Sequence, residues 1–336
     1  MIHKTLPPNL LERLNYSPIP SLLSGDEWVS IQIKDGPCSH DCSYCYARRE
    51  PVGEISVMQM ESVIGWFLEL GIHKCLLIGS EPTEHSAFQE ILDMFSRKRF
   101  TCGVYTNGDN LSQLLHPAVR QVILHLSHTP TSKNLYSANE LLDSGKKIDL
   151  RVNFDSPDLT EMNIIRPFLA GIHQTHLSEI LLKYSVTSPV PSIGVQGFDI
   201  GKLKTLKPRL ISVLTALHNE FPKVLFYAER PLFKCVFSES ELEDLYFANI
   251  MFTCFMEFTV YRDMTMNLCS PGRFVFKGKP IESATDISDS IDQVRSHMET
   301  LARIPSFPEC RVCEFHEDLS CFGGCIGNKE SPERTD

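Results

Sequence analysis

Three cysteines, Cys38, Cys42 and Cys45, stand in the spacing C-x3-C-x2-C within the segment GPCSHDCSYCYARR. Three thiolates on one short loop can each hold one iron of a cubane [4Fe–4S] cluster, which leaves the fourth iron open to another ligand. Zinc is the competing occupant. Structural zinc sites close with four ligands, however, and no histidine or fourth cysteine sits at finger spacing beside this loop.

The chain has 12 cysteines, and their distribution is uneven. Six fall within residues 254–325, where Cys254 and Cys269 precede a C-x2-C-x7-C-x3-C run at Cys310, Cys313, Cys321 and Cys325. Reducing compartments rarely keep structural disulfides, so clustered thiols point to metal or catalysis. Zinc remains open for this second set, because paired cysteines at such spacings are also zinc chemistry. Cys75 and Cys102 lie within apolar strand candidates and read as small buried hydrophobes. Cys235 stands alone in RPLFKC.

The elements that must position the first cysteine loop are short strand-like runs alternating with helix-like ones across residues 28–230, the pattern of repeated β-α units and a parallel sheet. Strands are expected at 28–34, 73–78, 100–105, 120–127, 148–155, 178–186 and 223–229. Helix starts are expected at Ser56 with Gln59, Ser137 with Glu140, and Ser156 before Pro157. Gly71 and Gly145 suit the left-handed residue that ends a helix.

Strand parity adds information. Val122, Leu124 and Leu126 share one face of their strand, and His125 with Ser127 the other. Leu150, Val152 and Phe154 similarly oppose Arg151, Asn153 and Asp155, and Lys183, Ser185, Tyr227 and Glu229 continue the polar side. A parallel sheet covered on both sides reads as continuous apolar runs, so a persistent polar face suggests a barrel lumen that holds a polar ligand. Edge exposure is the plainer alternative.

With Tyr44 just before its third cysteine, the first triad resembles the signature of the radical S-adenosylmethionine (SAM) superfamily. Gly79-Ser80-Glu81-Pro82-Thr83 is similar to that family's G-G-E-P-T motif, with Ser80 in place of the second glycine, and Thr106-Asn107-Gly108 is similar to its T-N-G turn. All three follow strands, at the end where barrel active sites are built. The resemblance implies a [4Fe–4S] cluster on Cys38, Cys42 and Cys45. It implies SAM bound at the open iron near Gly79, Ser80, Glu81, Pro82 and Asn107, and reductive cleavage of SAM to a 5′-deoxyadenosyl radical that abstracts hydrogen from a substrate. By strand position it also suggests Ser127, Arg151, Asn153 and the backbone of Val186 as SAM contacts.

The second set resembles the SPASM and twitch extensions of the same superfamily, which carry auxiliary [4Fe–4S] clusters. One or two such clusters are implied. Two departures matter. Met264 replaces the usual glycine before the second cysteine, and no cysteine follows Cys325. Cys254, Cys269 and Cys325 would then serve one cluster and Cys310, Cys313 and Cys321 another. A twitch-like arrangement would instead use Cys254, Cys269, Cys310 and Cys313 together. His316, Asp318 or Cys235 could complete a shell.

The expected architecture is α/β: a partial (β/α)6 TIM-like barrel over 28–230, after an N-terminal extension (1–27), and followed by a linker helix (231–250), a small Cys-rich domain (251–327) and a disordered tail (328–336). The resemblance implies a peptide substrate, oxidised or crosslinked, and an electron donor such as flavodoxin or ferredoxin. About 27 residues precede the first strand, too few for the leader-binding domain of many peptide maturases, which counts against a peptide unless a separate recognition protein compensates. The alternatives are radical chemistry on a small-molecule intermediate, or a non-catalytic iron–sulfur or zinc protein.

Composition fits. Over 336 residues, 42% are apolar and 22% charged, values of an ordinary globular chain. The net charge of −10, without a basic block, argues against nucleic acid. No apolar run approaches the ~18 residues of a membrane span, and the N-terminus lacks a secretory pattern, so a cytoplasmic protein is expected.

Overall fold

The computed structural model of the chain describes residues 29–40, 42, 44–47, 50–126, 131–154, 162–187, 196–254, 257–269 and 278–329. Its frame is a run of parallel strands: β1 (Val29–Asp35), which carries the two-residue antiparallel partner β2 (Gly53–Glu54), then β3 (Lys74–Gly79), β4 (Thr101–Thr106), β5 (Val119–His125), β6 (Lys147–Phe154), β7 (Ile180–Val186) and β8 (Leu225–Ala228). Each of β1, β3, β4, β5, β6, β7 and β8 pairs in parallel with the next. This is the partial barrel expected, and every strand candidate overlaps an observed strand.

The helices between them are α1 (Val57–Glu69), α2 (Phe88–Arg97), α3 (Ser132–Asp143), α4 (Met162–Gly171) and α5 (Ile200–Glu220). Ser56 caps α1 through a reciprocal pair with Gln59, because its hydroxyl takes an N–H that the first turn leaves unpaired. Gly71 and Gly145 adopt φ of +75° and +77°. Ser137 does not start a helix. Thr131 with Asn134 supplies the same reciprocal chemistry six residues earlier, so Ser137 lies inside α3. Ser156 falls outside the described residues.

The sheet has two unlike faces. Ile31, Cys75, Cys102, Val104, Val122, Leu150, Leu182 and Phe226 are buried, and they lie on the apolar face that the helices cover. On the opposite face the register aligns His125 with Arg151, Arg151 with Lys183, and Lys183 with Tyr227. The polar lumen inferred from strand parity is therefore present as a row of adjacent side chains. Burial raises the Cys75 and Cys102 thiols above their ordinary pKa, in keeping with a packing role.

Residues beyond 230 do not leave the sheet. β9 (Phe258–Val260) pairs in parallel with β1, β10 (Thr265–Leu268) runs antiparallel to β9, and β11 (Lys279–Pro280) follows β10. The polar face continues across this edge, with Ser30 beside Thr259 and Thr259 beside Asn267. Within 231–250 the helical content is the short α6 (Glu239–Asp244), capped by Ser238, flanked by single 3-10 turns at Lys234–Val236 and Tyr246–Ala248. α7 (Ala284–Ala302) and α8 (Glu314–Glu317) complete the described helices. At the start of the expected tail, Lys329 is buried and its Nζ donates to Ile304 O at 2.7 Å. Residues 330–336 lie outside the described residues. No described helix is long and apolar enough to cross a membrane.

Candidate active site

The loop after β1 is closed by Gly36 N–H donating to Ala47 O and by Cys45 N–H donating to Cys42 O. Cys38, Cys42 and Cys45 are all half-buried. The loop is tied to the turn after β4: Asn107 Nδ2 donates to Ser39 Oγ at 2.8 Å and to Cys38 Sγ at 3.6 Å. The His40 N–H also points at Cys38 Sγ, at 3.4 Å, and Ser39 Oγ donates to Asp109 at 2.6 Å. Tyr44 is hydrogen-bonded through its hydroxyl to His125 at the end of β5.

Gly79 ends β3 at φ +144°, where a Cβ would lie 2.2 Å from Lys34 O. Only glycine fits so close to β1. Ser80 N–H donates to the same Lys34 carbonyl at 2.9 Å. Ser80 is not among the positive-φ residues, which explains why serine can replace the second glycine here. Its hydroxyl is buried without a hydrogen-bond partner in the protein.

Glu81 is fully buried. Its Oε1 accepts from Thr83 N–H at 3.1 Å, Thr83 Oγ1 at 2.6 Å and Thr106 Oγ1 at 3.0 Å, and its Oε2 accepts from Asn107 N–H at 2.7 Å. Burial raises its pKa, while these four donors pull the other way. The carboxylate thus ties the Gly79–Thr83 loop to the Thr106–Gly108 turn. Pro82 is buried in the 3-10 turn that Glu81 caps. The SAM contact suggested for Glu81 therefore competes with a bonding role inside the protein.

Deeper in the lumen, Arg151 Nε pairs with Glu229, whose other oxygen accepts from Tyr105 OH at 3.1 Å. Arg151 also lies over the Tyr105 ring, 5.4 Å from its centroid. Burial acts to raise the Glu229 pKa, but Arg151, Lys183 and Arg230 hold it below the ordinary carboxylate value. Asn153 is buried between Thr187 and Ser185, bonded at 3.1 and 2.6 Å. Arg151 and Asn153 are thus engaged with protein partners. Val186, buried, ends β7. Ser127 and Asp155 lie outside the described residues. Tyr227 is buried and its hydroxyl meets Met251 Sδ.

The second cysteine set separates into two groups. Burial raises the Cys254 thiol well above its ordinary pKa, the nearby sulfurs of Cys269 and Cys325 raise it further, and Ile326 N–H donates to it. Burial likewise raises Cys310, with Cys321 and Cys313 as its sulfur neighbours. Phe322 N–H donates to Phe252 O at 2.9 Å, which brings the 321–325 loop beside Cys254. Gly323 and Gly324 take φ of +72° and +81° to make that loop. Met264 adopts φ +60°, the conformation that a glycine at this position takes without strain. Between the groups lies Lys329, whose amine burial pushes down to about 8, against the opposing pull of Cys310, Cys254 and Cys321.

Among the described residues, the only three metal-ligating side chains whose donor atoms all lie within 4.8 Å of one another are Asp143, His173 and His176, away from both cysteine sets. A zinc tetrahedron with Zn–S of ~2.3 Å needs sulfurs ~3.8 Å apart. Among the described residues no three cysteine sulfurs all lie within 4.8 Å of one another.

A family model described as the radical SAM superfamily matches residues 37–130. Residues 37–130 thus form a radical SAM domain. The matched segment holds the cysteine loop, the Gly79–Thr83 loop and the Thr106–Gly108 turn. Among solved structures, Streptococcus suis SuiB bound to S-adenosylmethionine is similar at 15% identity and TM-score 0.60, over 95% of this chain and 76% of that one. SuiB bound to its precursor peptide SuiA is similar at 14% identity and TM-score 0.56, over 95% and 75%. Native anSMEcpe with AdoMet and the Cp18Cys peptide is similar at 14% identity and TM-score 0.59, over 91% of each chain. At these identities the likeness is one of fold. No curated protein matches in sequence.

Sequence reasoning did not single out Tyr105, the Thr83 and Thr106 hydroxyls around Glu81, or Lys329. Tyr105 was accessible through parity, since it alternates with Val104 in β4. Lys329 carried no signal, because its neighbours come from distant segments.

Proposed function

We propose that this chain is a radical SAM enzyme that acts oxidatively on a peptide, with the SAM-binding cluster on Cys38, Cys42 and Cys45 and auxiliary clusters on the C-terminal cysteines. The observation that carries the reading is the bonding of the cysteine loop to Asn107, and of Asn107 through Glu81 to the Gly79–Thr83 loop, all at one end of the parallel sheet. When bound, the cluster supplies the electron that splits SAM into methionine and a 5′-deoxyadenosyl radical.

The remaining tasks belong to the chain's own residues. Asn107 and the His40 amide direct N–H groups at Cys38 and fix the position of its sulfur on the loop. Gly79 removes the side chain that would collide with β1, leaving backbone and the unpartnered Ser80 hydroxyl for a polar ligand. Arg151 and Glu229, joined to Tyr105, place a fixed charge pair in the lumen where it can orient amide or carboxylate groups of a substrate. Water exclusion by the buried row beneath protects a radical from quenching. A peptide is favoured as substrate because two of the similar structures hold peptides at comparable coverage.

The test is anaerobic reconstitution and reduction, followed by mass spectrometry of 5′-deoxyadenosine with and without peptides encoded beside the gene. A peptide-dependent rise, with a product lighter by two hydrogens, is expected. Release that responds to a small molecule and to none of those peptides would overturn the peptide assignment.

A further inference from the structure

We infer that Asp143, His173 and His176 form a Zn²⁺ site that clamps the connection before β6 to the connection before β7, at the end of the sheet opposite the cysteine loop. The inference stands apart from the SAM chemistry, because these residues precede their strands whereas the cysteine loop follows β1.

Asp143 is the last residue of α3, four positions before β6, and His173 and His176 lie between α4 and β7. One donor atom from each residue falls within 4.8 Å of the other two. Asp143 Oδ1 is 2.8 Å from His176 Nε2 and 3.9 Å from His173 Nδ1. A tetrahedral Zn²⁺ with bonds of ~2.0–2.1 Å to nitrogen and oxygen needs donors ~3.3 Å apart. The two separations bracket that value. Asp143 and His173 are exposed, so their side chains can turn to close the difference.

The backbone already holds the three residues together. His176 N–H donates to His173 O at 2.9 Å and Glu179 N–H to His176 O at 2.8 Å, which closes the H-x2-H stretch into a turn. The two imidazole planes lie within 28° of each other, with centroids 6.3 Å apart. Asn139, buried one helical turn before Asp143, fastens that turn to α3. Its Oδ1 accepts from His173 N–H at 2.8 Å and its Nδ2 donates to Gly171 O at 3.0 Å. A Cβ on Gly171 would lie 2.8 Å from Leu135 Cδ1, so glycine permits the close approach. A site whose ligands are fixed by such bonds loses little order on binding.

A second observation concerns the other nitrogen of His176. Nδ1 is 3.5 Å from Glu179 Oε1 and has no hydrogen bond in the protein. Metal-bound imidazoles characteristically give their second N–H to a carboxylate, which fixes the tautomer and strengthens the ligand. With Nε2 on the ion, Nδ1–H faces Glu179. A plain His176–Asp143 ion pair accounts for the 2.8 Å contact, but for neither the third donor nor the outer carboxylate. Two imidazoles with one carboxylate suit zinc, whereas calcium and magnesium favour oxygen ligands throughout. Solvent water fills the fourth position. On binding, the proton between His176 and Asp143 passes to solvent, and no oxidation state changes.

The experiment titrates the full chain, reconstituted anaerobically with iron and sulfide and then desalted, with zinc chloride against a chromogenic chelator, beside His173→Ala. The side chain of His173 is exposed, so the two proteins should melt alike without zinc. The unmodified chain should bind one more Zn²⁺ than His173→Ala, a difference that holds whatever the cysteines carry. Zinc-edge X-ray absorption should show, in the difference between the two, nitrogen and oxygen at ~2.0–2.1 Å and no sulfur at ~2.3 Å. Zinc should raise the melting midpoint of the unmodified chain more than that of His173→Ala, because an ion bound to the folded state alone stabilises it. Glu179→Gln should keep the ion at about tenfold lower affinity, the effect of losing an outer-shell partner. Equal zinc stoichiometry and affinity in the unmodified chain and His173→Ala, or a sulfur shell in the difference spectrum, would overturn the site.

Discussion

Replacing Gly79 by alanine should damage the active site through the backbone rather than through any lost contact. At φ +144° an L-residue is strained by ~1–3 kcal/mol. The new Cβ would start 2.2 Å from Lys34 O, so β1 and the end of β3 must move apart. That motion breaks the 2.9 Å bond from Ser80 N–H to Lys34 O, at a further ~0.5–1.5 kcal/mol. The total is about 3 kcal/mol, concentrated four residues before Cys38. Two measurements on Gly79→Ala check this: the urea midpoint, and SAM affinity by equilibrium binding to the reconstituted protein. A lower midpoint and at least about tenfold weaker SAM binding are expected, since ~1.4 kcal/mol is tenfold. Ser80→Gly is the control, with a cost within ~1 kcal/mol because Ser80 needs no left-handed backbone. Gly79→Ala with the stability and SAM affinity of the unmodified chain would refute the reasoning.

Two further outcomes follow from charge. Glu229→Gln should destabilise by about 3 kcal/mol at pH 7, because it leaves Arg151 half-buried without its counter-charge. Since the folded Glu229 pKa is lowered, the pair's stability is present above the unfolded value of ~4.3 and is lost as pH falls through the folded pKa, so the gap between the two proteins in thermal melts should close only in acid. Lys329→Gln should make the reduction potential of the proposed auxiliary cluster more negative, by on the order of 50 mV, in protein-film voltammetry, because a cation buried near Cys310, Cys254 and Cys321 favours the more negatively charged reduced state.

Local rules carried the fold a long way. Period-two alternation located the parallel strands and their polar face, and side-chain capping located α1. The same rule misplaced the start of α3, because Thr131 and Asn134 compete with Ser137 for one role. What was not legible depends on distant pairing. Nothing within residues 258–268 says that β9 will lie beside β1, since that register joins segments some 230 residues apart. In the site, parity identified Arg151 and Glu229 as lumen residues but not as partners of each other, because β6 and β8 are joined through β7. Spacing alone left two ways to group the C-terminal cysteines. The backbone bond from Phe322 to Phe252 brings the 321–325 loop beside Cys254, and it is invisible in either segment by itself.

The most direct test of a radical site on the loop after β1 is the rate of 5′-deoxyadenosine formation from SAM by the reduced, reconstituted chain, compared with Cys42→Ala prepared identically. Formation by the unmodified protein and its loss to background in Cys42→Ala is the expected result, with auxiliary iron retained in both. Equal formation by the two proteins would contradict the placement of the SAM-cleaving cluster on Cys38, Cys42 and Cys45.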